Sequence, residues 1–296
     1  MDERVIGVDL GGTKILAGLV DRDGRVERHR ETPTPNQSEA TVLEGLDEAV
    51  QALRDDRVVA VGFGLPSQID HRTGTIRGSV NIPLGTLNFR DRMQQRFGLP
   101  VALENDANAA TLGEHVSGAG RGARSMLMFT LGTGCGGGVV IDGELYRGWA
   151  EFGHIVIEYD GLPCQGFCHG RGHLEPYVTG VAATRIAQEL FGPAADSHRL
   201  VRLANEGDEE AREALAGIGR RLGVGIASMC NVFGADLAVI GGGFGVAGYD
   251  WLAPAALEIA KRDALDAAGE TLQIARAELA TMAGLIGAGM LAFDAV

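Results

Sequence analysis

The chain has 296 residues, 45% of them hydrophobic, which is enough for one large domain or two ordinary domains with substantial cores. Its formal net charge of −13 gives a field that repels nucleic acid and anionic membranes, and its 5% aromatic content leaves few base-stacking platforms. The N-terminal residues carry no apolar signal core, and the four unevenly spaced cysteines indicate free thiols or a metal site. We therefore expect a cytoplasmic protein that binds neither nucleic acid nor membrane.

The first glycine turn lies in the segment 9–14, DLGGTK, between two apolar strands at 5–10 and 15–20. Backbone N–H groups, a hydroxyl and a cation at such a tip suit phosphate oxygens, and a carboxylate beside them suits Mg²⁺. The spacing is not that of a Walker A loop, and an ordinary hairpin turn explains the segment equally well. The candidate residues for Mg²⁺ and phosphate are Asp9, Gly11, Gly12, Thr13 and Lys14.

Apolar residues at helical spacing predict an amphipathic helix over 38–55, with Ser38 as its N-cap. A continuous apolar strand over 58–65 follows and ends in a loop that contains Ser67. This strand end can approach a small ligand, although a plain exit from the strand explains Ser67 as well. Asn81, in a later loop, is a candidate for binding a hydroxyl group.

An apolar run over 99–103 leads into Glu104, Asn105 and Asp106, and helix-forming residues follow. This pattern predicts a buried strand that opens into a helix, the place where α/β folds usually carry their chemistry. A carboxylate at Asp106 can accept a proton from a substrate hydroxyl, with the amides of Asn105 and Asn108 beside it. On this segment alone, capping of the helix is the simpler role for Asp106.

A second glycine turn, in the segment 126–143, repeats the design of the first, with strand, glycine turn, strand and Asp-Gly turn. Two such hairpins predict a duplicated α/β unit that binds one nucleotide between two lobes. A third glycine run follows the strand 237–240, and the helix before it, 209–233, carries glycines that permit close packing against another helix or a ligand ring. The candidate nucleotide-binding residues here are Gly132, Thr133, Gly134, Gly241, Gly242 and Gly243.

Cysteine and histidine residues between these runs form a candidate zinc site. The set His154, Cys164, Cys168 and His173 suits tetrahedral zinc, and the glycines around it allow tight turns. The sequence leaves His169 open as an alternative fourth ligand. A closed site with four protein ligands is structural, and it would fix nearby groups that accept hydrogen bonds from a polyol, namely Glu151, His154 and Glu175.

Five motifs, taken together and in order, resemble the ROK family (repressors, open reading frames and kinases) and, within it, its bacterial glucokinases. They are DLGGTK at 9–14, ENDAN at 104–108, LGTGCGGG at 131–138, EFGH at 151–154 and IGGG at 240–243, so the resemblance runs nearly end to end. It implies a two-lobed, actin-like or hexokinase-type α/β fold, related to ribonuclease H, with duplicated lobes around a cleft that holds sugar and ATP. We accordingly expect an N-terminal lobe over 1–115, joined by a C-terminal helix over 281–296, and a C-terminal lobe over 116–280.

The resemblance also implies roles for individual residues. Asp106 matches the family's catalytic base, and the family's sugar ligands match Asn105, Glu151, His154 and Glu175, with His154 also a zinc ligand. Two departures concern these sites. The zinc segment has a two-residue insertion and His173 in place of a cysteine, which still suits zinc, and Ser67 replaces a usual glycine near the sugar.

These observations predict phosphoryl transfer from MgATP to a hexose, foremost to the 6-OH of glucose, with Asp106 as general base. The cofactors are ATP, Mg²⁺ and a structural Zn²⁺, and the family implies a homodimer or homotetramer. A kinase for another hexose or an N-acylhexosamine, or one that uses polyphosphate, remains an alternative. A sugar-responsive repressor is disfavoured, because only eight residues precede Asp9 and the usual helix-turn-helix is not among them.

Overall fold

The computed structural model describes residues 2–79, 82–166 and 168–296, which divide into two compact units. The first unit comprises Met1–Arg121 and Leu279–Val296, and the second comprises Gly122–Glu278. The C-terminal segment therefore belongs to the same unit as the N-terminus.

Within these described ranges, thirteen strands form two five-stranded sheets and one three-stranded sheet. In chain order they are β1 (Arg4–Leu10), β2 (Lys14–Val20), β3 (Val26–Pro33), β4 (Val58–Leu65), β5 (Ser67–Asp70), β6 (Thr75–Ser79), β7 (Thr86–Asn88), β8 (Val101–Asn105), β9 (Met126–Leu131), β10 (Cys135–Ile141), β11 (Glu144–Leu145), β12 (Leu237–Gly241) and β13 (Gln273–Arg276).

The helices are α1 (Glu39–Gln51), α2 (Phe89–Phe97), α3 (Asp106–Ser117), α4 (Glu175–Val178), α5 (Gly180–Phe191), α6 (Ser197–Glu206), α7 (Glu209–Phe233), α8 (Gly243–Asp263), α9 (Asp266–Thr271) and α10 (Ala283–Phe293). Short 3₁₀ helices lie at Phe152–His154 and Ala280–Met282. No helix in the described part of the chain has the length and apolar character needed to cross a membrane.

The main sheets of the two units share one topology. The first has the order β3-β2-β1-β4-β8 and the second the order β11-β10-β9-β12-β13. In each, an antiparallel hairpin (β1–β2 or β9–β10) is extended by a parallel strand (β4 or β12) beside its first strand. The predicted repeat of two hairpins is confirmed at the level of strand pairing.

Two elements have bounds that differ from the predicted ones. Ser38 caps the first helix as predicted, but α1 stops at Gln51 because the next N–H groups turn back to Glu48 and Val50 in a tight turn. The strand predicted over 99–103 is instead Val101–Asn105. Pro100 lies just before it, and a proline has no N–H group to donate to a central strand.

Glycines permit unusually close packing of α10 in the first unit. A Cβ atom at Gly7 of β1 would lie 1.9 Å from the carbonyl oxygen of Leu285, and one at Gly62 of β4 would lie 1.7 Å from that of Ala288. Gly287 of α10 makes a similarly close contact with α3, since a Cβ atom at Gly287 would lie 1.7 Å from the carbonyl oxygen of Ala109. Helix α10 therefore packs backbone to backbone against the sheet and against α3.

The predicted close packing of the glycine-bearing helix is also confirmed. Helix α7 occupies the predicted bounds, and Cβ atoms at Gly219 and Gly223 would lie 2.4 and 2.5 Å from carbonyl oxygens of Leu252 and Ala256 in α8. The packing partner is therefore another helix, because both carbonyl oxygens belong to α8.

Candidate functional site

Asp106 is the first residue of α3, and it is not the residue that caps this helix. The side chain of Asn105 is the N-cap and accepts hydrogen bonds from the N–H groups of Ala107 and Asn108, at 2.9 and 3.3 Å. Asn105 thus takes the N-cap position that the sequence left open for Asp106, and the Ala107 N–H donates to Asp106 Oδ1 as well, at 2.9 Å. Its half-buried carboxylate stands at the carboxyl end of β8.

A second carboxylate, Asp9, lies near the end of β1 in the same unit. Strand β4 separates β1 from β8, and its Gly64 carries no side chain between them; a Cβ there would lie 3.7 Å from the Asp106 Cα. Burial and the nearby Asp106 charge raise the pKa of Asp9 to about 7, although the Lys14 charge opposes this shift. Burial likewise raises the pKa of Asp106, against hydrogen bonds that lower it. Such a pair suits a proton acceptor beside a cation ligand.

Glu104 is a fully buried carboxylate whose role the sequence analysis did not identify. Its Oε1 accepts hydrogen bonds from the Asn105 N–H at 2.9 Å and from the Asn108 side chain at 3.1 Å, and His71 Nε2 lies 3.4 Å away. These contacts hold the turn between β8 and α3, and they direct Asn108 inward to Glu104. The sequence signal that could have identified this role is a charged residue at the end of an otherwise apolar strand.

The tip of the first hairpin, 11–14, is held by the segment that follows β3. The Gly11 and Gly12 carbonyl oxygens accept hydrogen bonds from Thr34 and Asn36, at 2.7 and 2.5 Å. Among the described residues, the N–H groups of Gly12 and Thr13 have no acceptor, which keeps them available to an anion.

Lys14 Nζ is paired with Glu31 Oε2 at 2.7 Å on the neighbouring strand, so the predicted phosphate cation already has a partner. Both side chains are exposed, and a surface pair of this kind is weak enough to be exchanged for a ligand.

Ser67 and Asn81 are the remaining candidates of the first unit. Ser67 is only 6% exposed, and its Oγ has no hydrogen-bond partner among the described residues. A buried hydroxyl without a partner is unfavourable, so this position suits a polar ligand atom. Asn81 lies outside the described residues.

The second unit contains a cavity of about 490 Å³ beside the second hairpin. It brings together three predicted residues, Gly132 and Thr133 of the hairpin tip and Gly243 at the start of α8. The other lining residues come from α5, α6 and α8: Gly180, Val181, Thr184, Ser197, His198, Val201, Phe244 and Ala247.

Three helices, α5, α6 and α8, begin at this cavity. Their first residues, Gly180, Ser197 and Gly243, all line it. The N-terminus of a helix presents free N–H groups and a positive partial charge, so three of them favour an anionic ligand. The apolar side chains further along the helices suit a flat apolar group such as a base. Sequence reasoning missed α5 and α6, whose N-caps Thr179 and Asp196 were the available signals.

Three other predicted nucleotide-binding glycines do not line the cavity. Gly241 is buried at the end of β12, and Gly242 has a positive φ of 79° and approaches the backbone of Leu131, where a Cβ would lie at 2.5 Å. Gly134 faces Glu175, whose Oε2 would lie 2.9 Å from a Cβ. Close packing accounts for each of these glycines.

The zinc candidates His154, Cys164, Cys168 and His173 come together, with all four ligand atoms within 4.8 Å of one another. The separations are 3.3 Å between the two histidine Nδ1 atoms, 3.6 Å from Cys164 Sγ to His154 and 3.5 Å from Cys168 Sγ to His173. Zinc bond lengths of about 2.0–2.3 Å give tetrahedron edges of roughly 3.3–3.8 Å, so these residues fit the metal. His169 is exposed and lies outside this cluster.

Local protonation and backbone geometry also suit this cluster. Burial and the neighbouring His154 lower the pKa of His173, which favours the neutral imidazole that binds metal. Burial and the hydrogen bond with Cys168 raise the pKa of Cys164 to about 11, so its proton must leave when metal binds. Gly172 has a φ of 66° and a Cβ there would lie 1.6 Å from the Glu158 oxygen, which allows the loop to close.

The three polyol candidates of the second unit are arranged along the second hairpin. Glu151 precedes the 3₁₀ helix that ends at His154, and this helix packs on β10, where a Cβ at Gly153 would lie 2.3 Å from the Cys135 oxygen. Glu175 begins α4, and its Oε2 accepts a hydrogen bond from the Cys135 N–H at 2.8 Å. Burial and the charges of Glu175 and Glu151 raise the pKa of the Cys135 thiol.

This chain is similar to known proteins over nearly its whole length. The model of the ROK family matches residues 5–295. The chain is 32% identical to the glucokinase of Streptomyces coelicolor over 309 residues, covering 97% of this chain and 96% of that protein.

Two solved structures are similar over almost the full length. The ROK hexokinase from Thermus thermophilus has a TM-score of 0.84 and 35% identity, with 98% of each chain covered. The ROK family glucokinase from Streptomyces griseus, in complex with glucose and AMPPNP, has a TM-score of 0.82 and 33% identity, covering 98% of this chain and 99% of that one. The predicted actin-like α/β fold is confirmed by these similarities.

Proposed function

This chain belongs to the ROK family, and from that premise we propose that it is a sugar kinase that phosphorylates a hexose with ATP, foremost glucose to glucose 6-phosphate. The observation that carries the proposal is the carboxylate of Asp106, which lies half-buried after β8, next to the N-cap Asn105, and whose pKa is raised by burial. A carboxylate with these properties is suited to accept a proton from an alcohol. The relative from Streptomyces griseus, which holds glucose and AMPPNP, supports the same substrates here.

In the proposed reaction, the 6-hydroxyl oxygen of the sugar attacks the γ-phosphorus of ATP in line. A P–O bond forms, the bond from the γ-phosphorus to the β,γ-bridging oxygen breaks, and ADP leaves. Asp106 takes the hydroxyl proton, so that the attacking oxygen does not carry a positive charge. Asp9 would hold Mg²⁺, which neutralises charge on the phosphates when it is bound.

The remaining residues bind and orient the two substrates. We assign the sugar to Glu151, His154 and Glu175 of the second unit and to Ser67, Asn81 and Asn105 of the first. The nucleotide is assigned to the cavity where α5, α6 and α8 begin, with the phosphates toward Gly132 and Thr133. The first hairpin supplies the N–H groups of Gly12 and Thr13. Zinc has a structural role, since all four of its ligands come from the protein.

A coupled assay of ADP release tests this proposal. We expect sugar-dependent ADP release from MgATP, with the highest kcat/KM for glucose in a panel that includes mannose, fructose, galactose and N-acetylglucosamine. Polyphosphate with glucose, followed by detection of glucose 6-phosphate, tests the alternative donor. A higher kcat/KM for an N-acylhexosamine would keep the kinase and change its substrate, whereas ADP release that no sugar stimulates would exclude a sugar kinase.

A further inference from the structure

We propose that Glu175 has a second role beside sugar binding: it positions the β9–β10 hairpin so that the hairpin tip binds nucleotide. This inference rests on the proposed function, because it concerns the residue assigned to sugar and the hairpin assigned to the nucleotide. It makes Glu175 a positioning residue for the phosphates, in addition to a ligand of the sugar.

The two carboxylate oxygens of Glu175 have different environments. Oε2 accepts a hydrogen bond from the Cys135 N–H, at the first residue of β10, with a length of 2.8 Å. Oε1 accepts no hydrogen bond from the described residues and is available to a ligand hydroxyl. One carboxylate can therefore hold the hairpin and the sugar at the same time, one with each oxygen.

The adjacent glycine supports this contact. A Cβ at Gly134 would lie 2.9 Å from Glu175 Oε2, so the carboxylate occupies the space that any larger residue would fill. Gly134 does not have a positive φ, and its backbone conformation therefore does not require glycine. The approach of the carboxylate explains glycine at this position.

The hairpin tip is fixed by the same segment of chain from a second direction. The Gly132 oxygen accepts a hydrogen bond from the Gly180 N–H at 2.8 Å, and the Gly132 N–H donates to the Gly134 oxygen at 2.9 Å. Gln165 lies in the segment 161–172 that carries Cys164 and Cys168, here called the zinc loop. Its side chain donates to Oγ1 of Thr179, the residue before Gly180, at 2.9 Å. The zinc loop, α4, α5 and the tip thus form one hydrogen-bonded unit.

A consequence of this arrangement is that sugar and nucleotide bind cooperatively. Gly132 and Thr133 of the tip line the nucleotide cavity, whereas Glu175 is assigned to the sugar. A sugar that immobilises Glu175 also immobilises the Cys135 N–H and the tip, which lowers the entropy that the nucleotide must lose. By linkage, the nucleotide must strengthen sugar binding by the same factor.

Titration of the holoprotein with Mg²⁺-AMPPNP in the absence of sugar tests the positioning role. We expect Glu175→Ala to weaken nucleotide binding by roughly tenfold, the scale of one lost hydrogen bond to a charged group. Glu175→Gln is the matched control, because its amide oxygen still accepts from the Cys135 N–H. It should keep nucleotide affinity within about twofold of the wild type while both variants lose affinity for glucose.

A second variant keeps the test valid if removal of the Glu175 side chain disturbs folding. Gly134→Ala retains the carboxylate but displaces it from the Cys135 N–H, and we expect it also to weaken nucleotide binding without sugar. Unchanged nucleotide affinity in folded, zinc-replete Glu175→Ala or Gly134→Ala would overturn this inference alone. A wild type that binds no nucleotide would overturn the proposed function as well.

Discussion

Asp106 and Asn105 divide two tasks that the sequence alone did not separate. Asn105 satisfies the first free N–H groups of α3, and Glu104 behind it accepts from the Asn105 backbone and from Asn108. The turn is therefore held mainly by its neighbours, and the Asp106 carboxylate adds one hydrogen bond, accepted from the Ala107 N–H at 2.9 Å. Asparagine at position 106 keeps an oxygen that can accept this bond, so the carboxylate can be replaced without loss of the turn.

Asp106→Asn should therefore lower kcat by roughly 10²–10⁴-fold while the protein stays folded and binds glucose, because only the proton acceptor is removed. Steady-state kinetics with glucose and MgATP measure this effect. Asp142→Asn, the same change at an exposed aspartate of an Asp-Gly turn, is the control and should keep wild-type kcat. A kcat for Asp106→Asn above about a tenth of the wild-type value would refute Asp106 as the base.

The pH profile provides a further check on the same assignment. Burial raises the pKa of Asp106, and a general base acts only when it is deprotonated. The wild-type rate should fall on acidification at a pH above the ordinary aspartate range, and the residual rate of Asp106→Asn should lack this fall. An identical acid limb in both proteins would assign it to another group.

At the scale of elements, the zinc loop is joined to its surroundings through the cluster of cysteine and histidine side chains. Its described residues, 161–166 and 168–172, contain little regular structure, and the cluster joins the loop to His154 and to His173 just before α4. Because His154 and Glu175 are assigned to the sugar, the metal should determine the positions of these ligands.

Cys168→Ser should abolish the binding of about one zinc per chain, raise the KM for glucose and lower Tm, because the loop is released from His154 and His173. Elemental analysis, kinetics and thermal unfolding measure the three effects. His169→Ala is the matched control, since His169 is exposed and outside the cluster, and it should retain zinc. Full zinc content in Cys168→Ser, or none in the wild type, would remove this metal site.

For the molecule as a whole, the C-terminal segment completes the unit that the N-terminus begins. Helix α10 is buried almost throughout, and it contacts β1 and β4 through glycines on both the sheet and the helix. These contacts join residues more than 200 positions apart in sequence, for example Gly62 and Ala288. Stability of the first unit therefore depends on small residues at these contacts.

Gly62→Ala should lower the free energy of unfolding by roughly 1–3 kcal/mol or more, because its Cβ would lie 1.7 Å from the Ala288 oxygen and α10 must shift. Urea denaturation measures this change. Gly217→Ala on α7 is the matched control, since its nearest neighbour is an arginine side-chain atom at 3.7 Å. It should leave stability unchanged or raise it by up to about 1 kcal/mol. Equal stability of the two variants would contradict the close packing of α10.

Local sequence signals by themselves determined much of this protein. Apolar runs and glycine turns predicted β1, β2, β4, β9 and β10, and Ser38 predicted the start of α1. These signals are local, because strand pairing across a short turn and helix capping involve near neighbours. The recurrence of glycine hairpins, together with the ROK motifs, was sufficient to predict the actin-like fold. The spacing of cysteines and histidines predicted the cluster of His154, Cys164, Cys168 and His173, and the tertiary structure leaves the alternative, His169, outside it.

Only the tertiary structure decided which residues meet across long distances. It gathered Gly132, Thr184, His198 and Phe244 around one cavity, although they lie on four separate elements. It also placed Glu175 against Cys135, 40 residues away, and excluded Gly241 and Gly242 from the cavity that Gly243 lines. The physical reason is that capping and turn formation depend on adjacent residues, whereas cavities and carboxylate contacts depend on how whole helices and sheets pack.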